Sequence, residues 1–149
     1  MTKLLNSYDE QLAFGYTVYM MMGSYFGKTR VAAPGREKVL RLRYLLLPQK
    51  KQYELEEDCE RYFKRKILPD LPGSFLSGCA SVYWIDSKDK RRTAVVFVRG
   101  KRQLWVTALY GGRIKRPVFY HWTAGFPGKG KPARGQNFCA KPLKKESAA

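Results

Sequence analysis

The sequence contains a single histidine, His121, in a setting where it could move a proton. It follows Tyr120 near the end of a predicted strand, in an arginine-rich part of the chain. A histidine or tyrosine acting as general base, with arginines stabilising a phosphorane-like transition state, would suit a metal-independent ribonuclease. The candidates for that chemistry are His121, Tyr120, Tyr83, Arg99 and Arg116. A lone histidine at a strand end is more often structural, so the sequence favours a binding protein over an enzyme.

Residues that bind metals or nucleotides are few or wrongly spaced. Cys59, Cys79 and Cys139 form no CxxC pair, and one histidine cannot complete the usual kind of zinc site. Asp86 and Asp89 lie at a predicted turn rather than in a carboxylate cluster. Residues 125–131 have the glycine and lysine spacing of a phosphate-binding loop, but a proline follows where Ser or Thr would hold magnesium. We expect no metal, no cofactor, and free thiols in a reducing cytoplasmic compartment.

Positive charge is concentrated in the last part of the chain. Residues 90–149 hold fifteen Lys and Arg and one acid, a net charge of +14, whereas residues 1–89 carry a net +3. Such a charge is costly in self-repulsion and indicates a polyanionic partner, most often nucleic acid.

The basic residues cluster at three predicted turns and in a Gly/Pro/Lys-rich tail. In an antiparallel meander, the first and third turns lie at one end of the sheet and the second at the other. Phosphate contacts from such residues supply salt-dependent affinity that is independent of sequence. The candidate phosphate-binding residues are Lys90, Arg91, Arg92, Arg99, Lys101, Arg102, Arg113, Lys115, Arg116, Lys129, Lys131 and Arg134.

One face of the predicted sheet could also stack on bases. Trp105, Phe119 and His121 would share that face if the helices cover the other one. Aromatic side chains among basic residues are typical of surfaces that bind single strands. The alternative is that both faces of the sheet are covered.

The spacing of apolar residues predicts two helices and one ambiguous segment. Helices are expected from about Tyr8 to Tyr25, with Gly27 ending the first, and from Gln49 to Leu68. In the second, acids at the front and bases at the rear suit the helix dipole. Arg36–Leu47 fits a strand or a helix, and its alternation favours the strand because it places Arg41 and Arg43 together on the solvent side.

From residue 79 the period changes to two and predicts four strands, Cys79–Asp86, Thr93–Arg99, Gln103–Tyr110 and Ile114–Trp122. Short connections, two of them with glycine, favour an antiparallel meander. The expected fold is α+β, with two or three helices packed on a four-stranded antiparallel sheet. We expect one domain over residues 1–124 and a basic tail over residues 125–149.

The uncharged run of seventeen residues from Gln11 to Gly27 is too short and too interrupted for a membrane span. We therefore expect no membrane contact, and a buried or partner-facing helix instead.

Taken together, these features predict a small basic accessory protein that binds nucleic acid, either RNA or DNA, or a nucleoprotein complex. Phage or plasmid accessory proteins and ribonucleoprotein subunits have this character. Two alternatives remain open: a small metal-independent ribonuclease or toxin, and a non-catalytic inhibitor that binds a nucleic-acid-processing complex. In the latter case the aromatic N-terminal helix would contact a protein partner.

Overall fold

Three α-helices pack on a five-stranded mixed sheet in a computed structural model that describes residues 7–27, 29–76, 80–87, 91–111 and 114–126. The α+β class predicted from the sequence is therefore confirmed. The helices are α1 (Ser7–Gly23), α2 (Pro34–Leu45) and α3 (Gln49–Tyr62). The strands are β1 (Thr29–Val31), β2 (Ala80–Asp86), β3 (Thr93–Arg99), β4 (Arg102–Gly111) and β5 (Ile114–Ala124), and this is also their order in the sheet.

The sheet differs from the predicted four-stranded meander by one strand. Strands β2 to β5 pair antiparallel with their neighbours, as the alternation predicted. Strand β1 pairs parallel with β2, Thr29 lying opposite Ala80. The prediction was wrong here because three residues are too few to show a period of two, and the segment looked like a loop.

Helix α1 is the central helix of the core and packs on β3, β4 and both other helices. It buries Phe14, Val18 and Met22 completely or nearly so. The helix continues as a 3-10 turn, Ser24–Phe26, and Gly27 follows with a φ of 73°, which glycine adopts more readily than other residues. Other side chains of α1, among them Tyr16, Tyr19, Met20 and Met21, are only partly buried. Among the described residues, no helix is both long and apolar enough to cross a bilayer.

Helix α2 replaces the strand that alternation favoured over Arg36–Leu47. Pro34 lies in its first turn, where the missing N–H costs nothing. Leu40 and Tyr44, four residues apart, face the core, whereas Leu42 and Leu46 are 60% and 56% exposed. The prediction was wrong because its alternation counted Leu42 and Leu46 as core residues, and both are exposed.

Helix α3 begins where predicted but changes its winding before it ends. After Tyr62 the chain widens into a π-turn over Phe63–Ile67, then tightens into a 3-10 turn over Leu68–Asp70 that contains Pro69. Phe63 and Ile67 are fully buried in the core between the helices and the sheet. Burial of these two side chains therefore anchors the π-turn to the core, and its three basic residues face solvent.

The last of the described residues, Gly125 and Phe126, pack against the rest of the protein. Gly125 takes a φ of 81°, and the ring of Phe126 is buried against Phe75, with ring centroids 5.2 Å apart. The predicted basic tail beyond this point, including Lys129, Lys131 and Arg134, lies outside the described residues.

Candidate nucleic-acid interface

The strand ends that flank the predicted basic turns fall at opposite ends of the sheet, as expected. Asp86 pairs with Thr93 and Gly111 with Ile114 at one end, while Arg99 pairs with Arg102 at the other. Of the turn residues themselves, Lys90, Arg113 and the side chain of Lys115 lie outside the described part of the chain.

The basic residues of the second turn are partly used inside the protein. The Arg99 Nε donates a hydrogen bond to the carbonyl oxygen of Phe75 at 3.2 Å. The Arg102 guanidinium donates to the Ser74 hydroxyl and lies over the ring of Phe126, 5.7 Å from its centroid. Both arginines therefore fasten the hairpin to the chain that packs beside it, and only Lys101 is fully exposed there.

At the first turn, the Ser87 hydroxyl accepts hydrogen bonds from the backbone amides of Arg91 and Arg92, at 3.2 and 3.1 Å. Arg91 is exposed and Arg92 is partly exposed. These two side chains remain candidates for phosphate contact.

The predicted stacking surface of Trp105, Phe119 and His121 does not exist as one face. Trp105 lies opposite Trp122, whereas His121 lies opposite Val106 and Phe119 opposite Ala108. Since Val106 and Ala108 belong to the core beneath the helices, Phe119 and His121 are on the helix side of the sheet.

Trp105 belongs to the other face and is itself covered. Its exposed fraction is 1%, its ring stacks on Trp122 with centroids 5.1 Å apart, and its N–H donates to the Gln103 Oε1 at 2.8 Å. The two faces were confused because β4 and β5 were placed side by side without the register that pairs them.

A groove of about 270 Å³ lies between the end of α3 and strand β5. It is called the cationic groove here, because four cations and one acid line it, a net charge of +3. Its lining residues are Asp58, Arg61, Tyr62, Arg65, Lys66, Arg116, Pro117 and Phe119.

The one acid of the groove, Asp58, holds two of the arginines in place. Its carboxylate is 9% exposed and accepts hydrogen bonds from the Arg116 Nε at 3.0 Å and from a second nitrogen of the same guanidinium. Arg61 donates to the same carboxylate at 3.2 Å. These contacts raise the pKa of Arg116, which is 58% exposed and so still faces the groove. A fork-like pair of this kind fixes the direction of a guanidinium.

The other two cations, Arg65 and Lys66, lie in the π-turn and are exposed. Within the described part of the chain neither is paired with a carboxylate. Their charge is therefore uncompensated locally, which is what an anionic ligand requires.

Aromatic rings form the wall of the groove nearest the sheet. Tyr62 and Phe119 stack with centroids 4.7 Å apart and an angle of 14° between the rings. Phe119 also packs edge-on against Phe14 of α1, so the stack rests on the core. The rings give the groove a rigid apolar wall beside its cations.

His121 links the groove to Asp70. Its Nδ1 lies 2.6 Å from the Tyr62 hydroxyl, and its Nε2 lies 3.0 Å from the Asp70 Oδ2. The neutral tautomer with the proton on Nε2 satisfies every contact: Tyr62 donates to Nδ1, and Nε2 donates to Asp70. Burial, and then the charge of Asp70, raise the pKa of Tyr62 to about 12, so the phenol is protonated at neutral pH.

The tyrosines predicted as alternatives to His121 lie elsewhere. Tyr120 pairs with Thr107, and Tyr83 pairs with Val96, both on the sheet face away from the helices. Neither can share a proton with His121. The tyrosine that does, Tyr62, was not predicted as a site residue, and neither were Asp58, Arg61, Arg65, Lys66 and Asp70.

One signal in the sequence could have indicated the groove. Arg61, Lys64, Arg65 and Lys66 form the densest basic group outside the predicted turns and tail, but they were attributed only to the stability of the helix, through its dipole and ion pairs with Glu57 and Glu60. The described residues contain no cluster of three or more His, Cys, Asp or Glu side chains placed to hold a metal ion.

Comparison of the chain with protein-family models, curated protein sequences and solved structures gave no match. What the fold and the site define is an α+β protein with a cationic groove beside β5, the last strand of the sheet among the described residues. The functional argument therefore rests on the geometry of that groove.

Proposed function

We propose that this protein binds the sugar-phosphate backbone of a nucleic acid, RNA or DNA, in the cationic groove. The observation that supports this most directly is the local imbalance of charge, four cations against one carboxylate that is already occupied. Asp58 fixes the direction of two of the cations, and the other two have no carboxylate partner among the described residues, so all four are available to phosphates. The net charge of +17 for the whole chain would draw a polyanion toward it from every side.

The shape of the groove favours a single strand over a duplex. Its wall is the stack of Tyr62 and Phe119 rather than a protruding helix. An aromatic wall beside cations suits a strand whose bases are free to contact rings. The predicted tail, with its six further basic residues beyond Phe126, would extend the contact along the strand.

The test is a comparison of two double variants with equal charge. Arg65→Gln with Lys66→Gln removes two cations from the groove. Lys38→Gln with Arg41→Gln removes two exposed cations from α2. The start of α2 is bound to β2, three strands away from β5 in the sheet, by the ion pair of Arg36 with Asp86, 2.6 Å long.

Affinity for a labelled single-stranded oligonucleotide should be measured from 50 to 300 mM salt. The groove variant should bind at least about tenfold more weakly, and the slope of log affinity against log salt should be smaller by up to about 2. The α2 variant should change both quantities less. Equal losses in the two variants would show that net charge alone governs binding and that the groove has no special role.

A further inference from the structure

Tyr62, which lines the groove, also begins a series of hydroxyl, base and carboxylate. The Tyr62 hydroxyl donates to His121, and His121 donates to Asp70. A nucleophile hydrogen-bonded to a base, which is oriented in turn by a third group, is the arrangement that activates serine and cysteine in covalent catalysis, and tyrosine can occupy the first position.

We infer that Tyr62 is a nucleophile that cleaves a phosphodiester bond and becomes covalently joined to the nucleic acid. The inference rests on the proposed binding of nucleic acid in the cationic groove. It differs from the ribonuclease considered from the sequence, in which His121 or a tyrosine would act as general base and no covalent adduct would form. Both ring nitrogens of His121 are engaged, and the atom it can activate is the Tyr62 oxygen.

The reaction balances without a metal or a redox partner. The Tyr62 oxygen attacks phosphorus as its proton passes to the Nδ1 of His121. A bond forms between that oxygen and phosphorus, and the bond from phosphorus to one sugar oxygen breaks. The departing sugar oxygen takes a proton from water in the open groove, and the imidazolium returns its proton to that water. Asp70 stabilises the imidazolium meanwhile, and the diester keeps its single negative charge.

Burial and the charge of Asp70, which raise the pKa of Tyr62 to about 12, disfavour a free phenolate, so the proton must pass to His121 as the bond forms. Two other features of the surroundings suit this step. Its ring is fixed between Phe119, by stacking, and His121, by an edge contact with centroids 5.5 Å apart, so the hydroxyl has one direction. The guanidinium of Arg116 and the charges of Arg65 and Lys66 line the same groove and would stabilise the extra charge on the phosphoryl oxygens as the bond forms. His121 is 14% and Asp70 43% exposed, so the relay reaches solvent through Asp70.

The experiment uses the full chain and labelled oligonucleotides of mixed sequence, as RNA and as single-stranded DNA. Each carries a bridging phosphorothiolate, whose sulfur leaves easily and attacks back poorly, so a tyrosyl adduct accumulates. The adduct is seen as labelled protein on a denaturing gel, and its position is found by peptide mass spectrometry. Binding of an uncleaved oligonucleotide is measured in parallel.

The wild-type protein should form an adduct at Tyr62. Tyr62→Phe keeps the ring that stacks on Phe119 but should form no adduct, and its own binding affinity is measured alongside. His121→Gln should slow adduct formation by about 100-fold or more. Tyr120→Phe, on the other face of the sheet, should behave as wild type. Binding without any adduct, or an adduct that persists in Tyr62→Phe, would overturn the inference and leave the proposed function standing. Absence of binding in all of these proteins would overturn both.

Discussion

Arg116 of β5 and Asp58 of α3 are 58 residues apart in the chain and form a fork-like ion pair across the cationic groove. The carboxylate is nearly buried, while the guanidinium is more than half exposed. The pair therefore fastens the edge of the sheet to the helix layer and at the same time presents a cation to the groove.

Replacing Asp58 should have opposite effects on stability and on binding. In Asp58→Asn the fork is lost, and we expect the free energy of unfolding to fall by about 1–3 kcal/mol, since hydrogen bonds to charged groups contribute that much. Affinity for a single strand should rise, because the groove loses its one negative charge. Urea unfolding and binding titrations at fixed salt measure the two effects.

Glu57→Gln is the matched control for that variant. It removes the same charge one residue earlier, from a side chain that is 71% exposed and bonded only to Arg61 among the described residues. Its stability should stay within about 0.5 kcal/mol of wild type. If Asp58→Asn were as stable as this control, the fork would contribute nothing to folding.

Alkaline pH should weaken the fold in part through Tyr62. Its pKa is raised to about 12 in the folded protein, against an ordinary value of 10.0. Below pH 10 the phenol is protonated in both states. Above it the unfolded chain loses the proton first, so the free energy of unfolding falls as pH rises from 10 toward 12.

The decline should be less steep in Tyr62→Phe. Urea midpoints of both proteins at pH 9 and at pH 11 test this, and phenolate absorbance shows directly whether one tyrosine missing from the variant titrates near pH 12. A parallel decline in the two proteins would mean that Tyr62 titrates normally.

Gly125 should not tolerate a side chain. A Cβ there would lie 2.4 Å from the carbonyl oxygen of Lys101, and the φ of 81° disfavours any L residue. Gly125→Ala should destabilise the protein by more than about 2 kcal/mol, as backbone must move. Gly100→Ala is the comparison, because Gly100 has a φ of 61° with open space around it, so only about 1 kcal/mol is expected. Thermal or urea unfolding gives both values, and equal losses would contradict the clash.

Truncation after Phe126 should keep the fold and weaken binding. The cut leaves Phe126 against Phe75 and removes six basic residues and one acid. We expect an unchanged urea midpoint, and a salt dependence of binding that is shallower but not abolished. Complete loss of binding in a folded truncated protein would place the function in residues 127–149 rather than in the groove.

The sequence predicted the elements with regular patterns and missed those that depend on context. Strands β2 to β5 alternate clearly and were found with small shifts at their ends, whereas β1 is too short to alternate. Helix α2 was predicted as a strand because its exposed leucines, Leu42 and Leu46, complete an alternating pattern with the buried Leu40. The sequence does not distinguish these exposed leucines from buried ones.

The partners of His121 could not be predicted either, because they depend on contacts between distant parts of the chain. His121 was selected by its type, but its partners Tyr62 and Asp70 lie 59 and 51 residues away and meet it only through packing of α3 on β5. No local pattern records that contact. Only the three-dimensional structure shows that the tyrosine in contact with His121 is Tyr62, not its neighbour Tyr120.

Strand β5 also has a bearing on assembly. It is eleven residues long and is the last strand of the sheet in the part of the chain that the structure describes. Such an edge can pair with an extended segment of another copy and seed aggregation. Pro117 has no N–H to donate, the ladder with β4 is irregular between Leu109 and Gly111, and Arg116 places a charge on the strand. These features of β5, the strand that lines the groove, therefore oppose edge-to-edge pairing between two molecules.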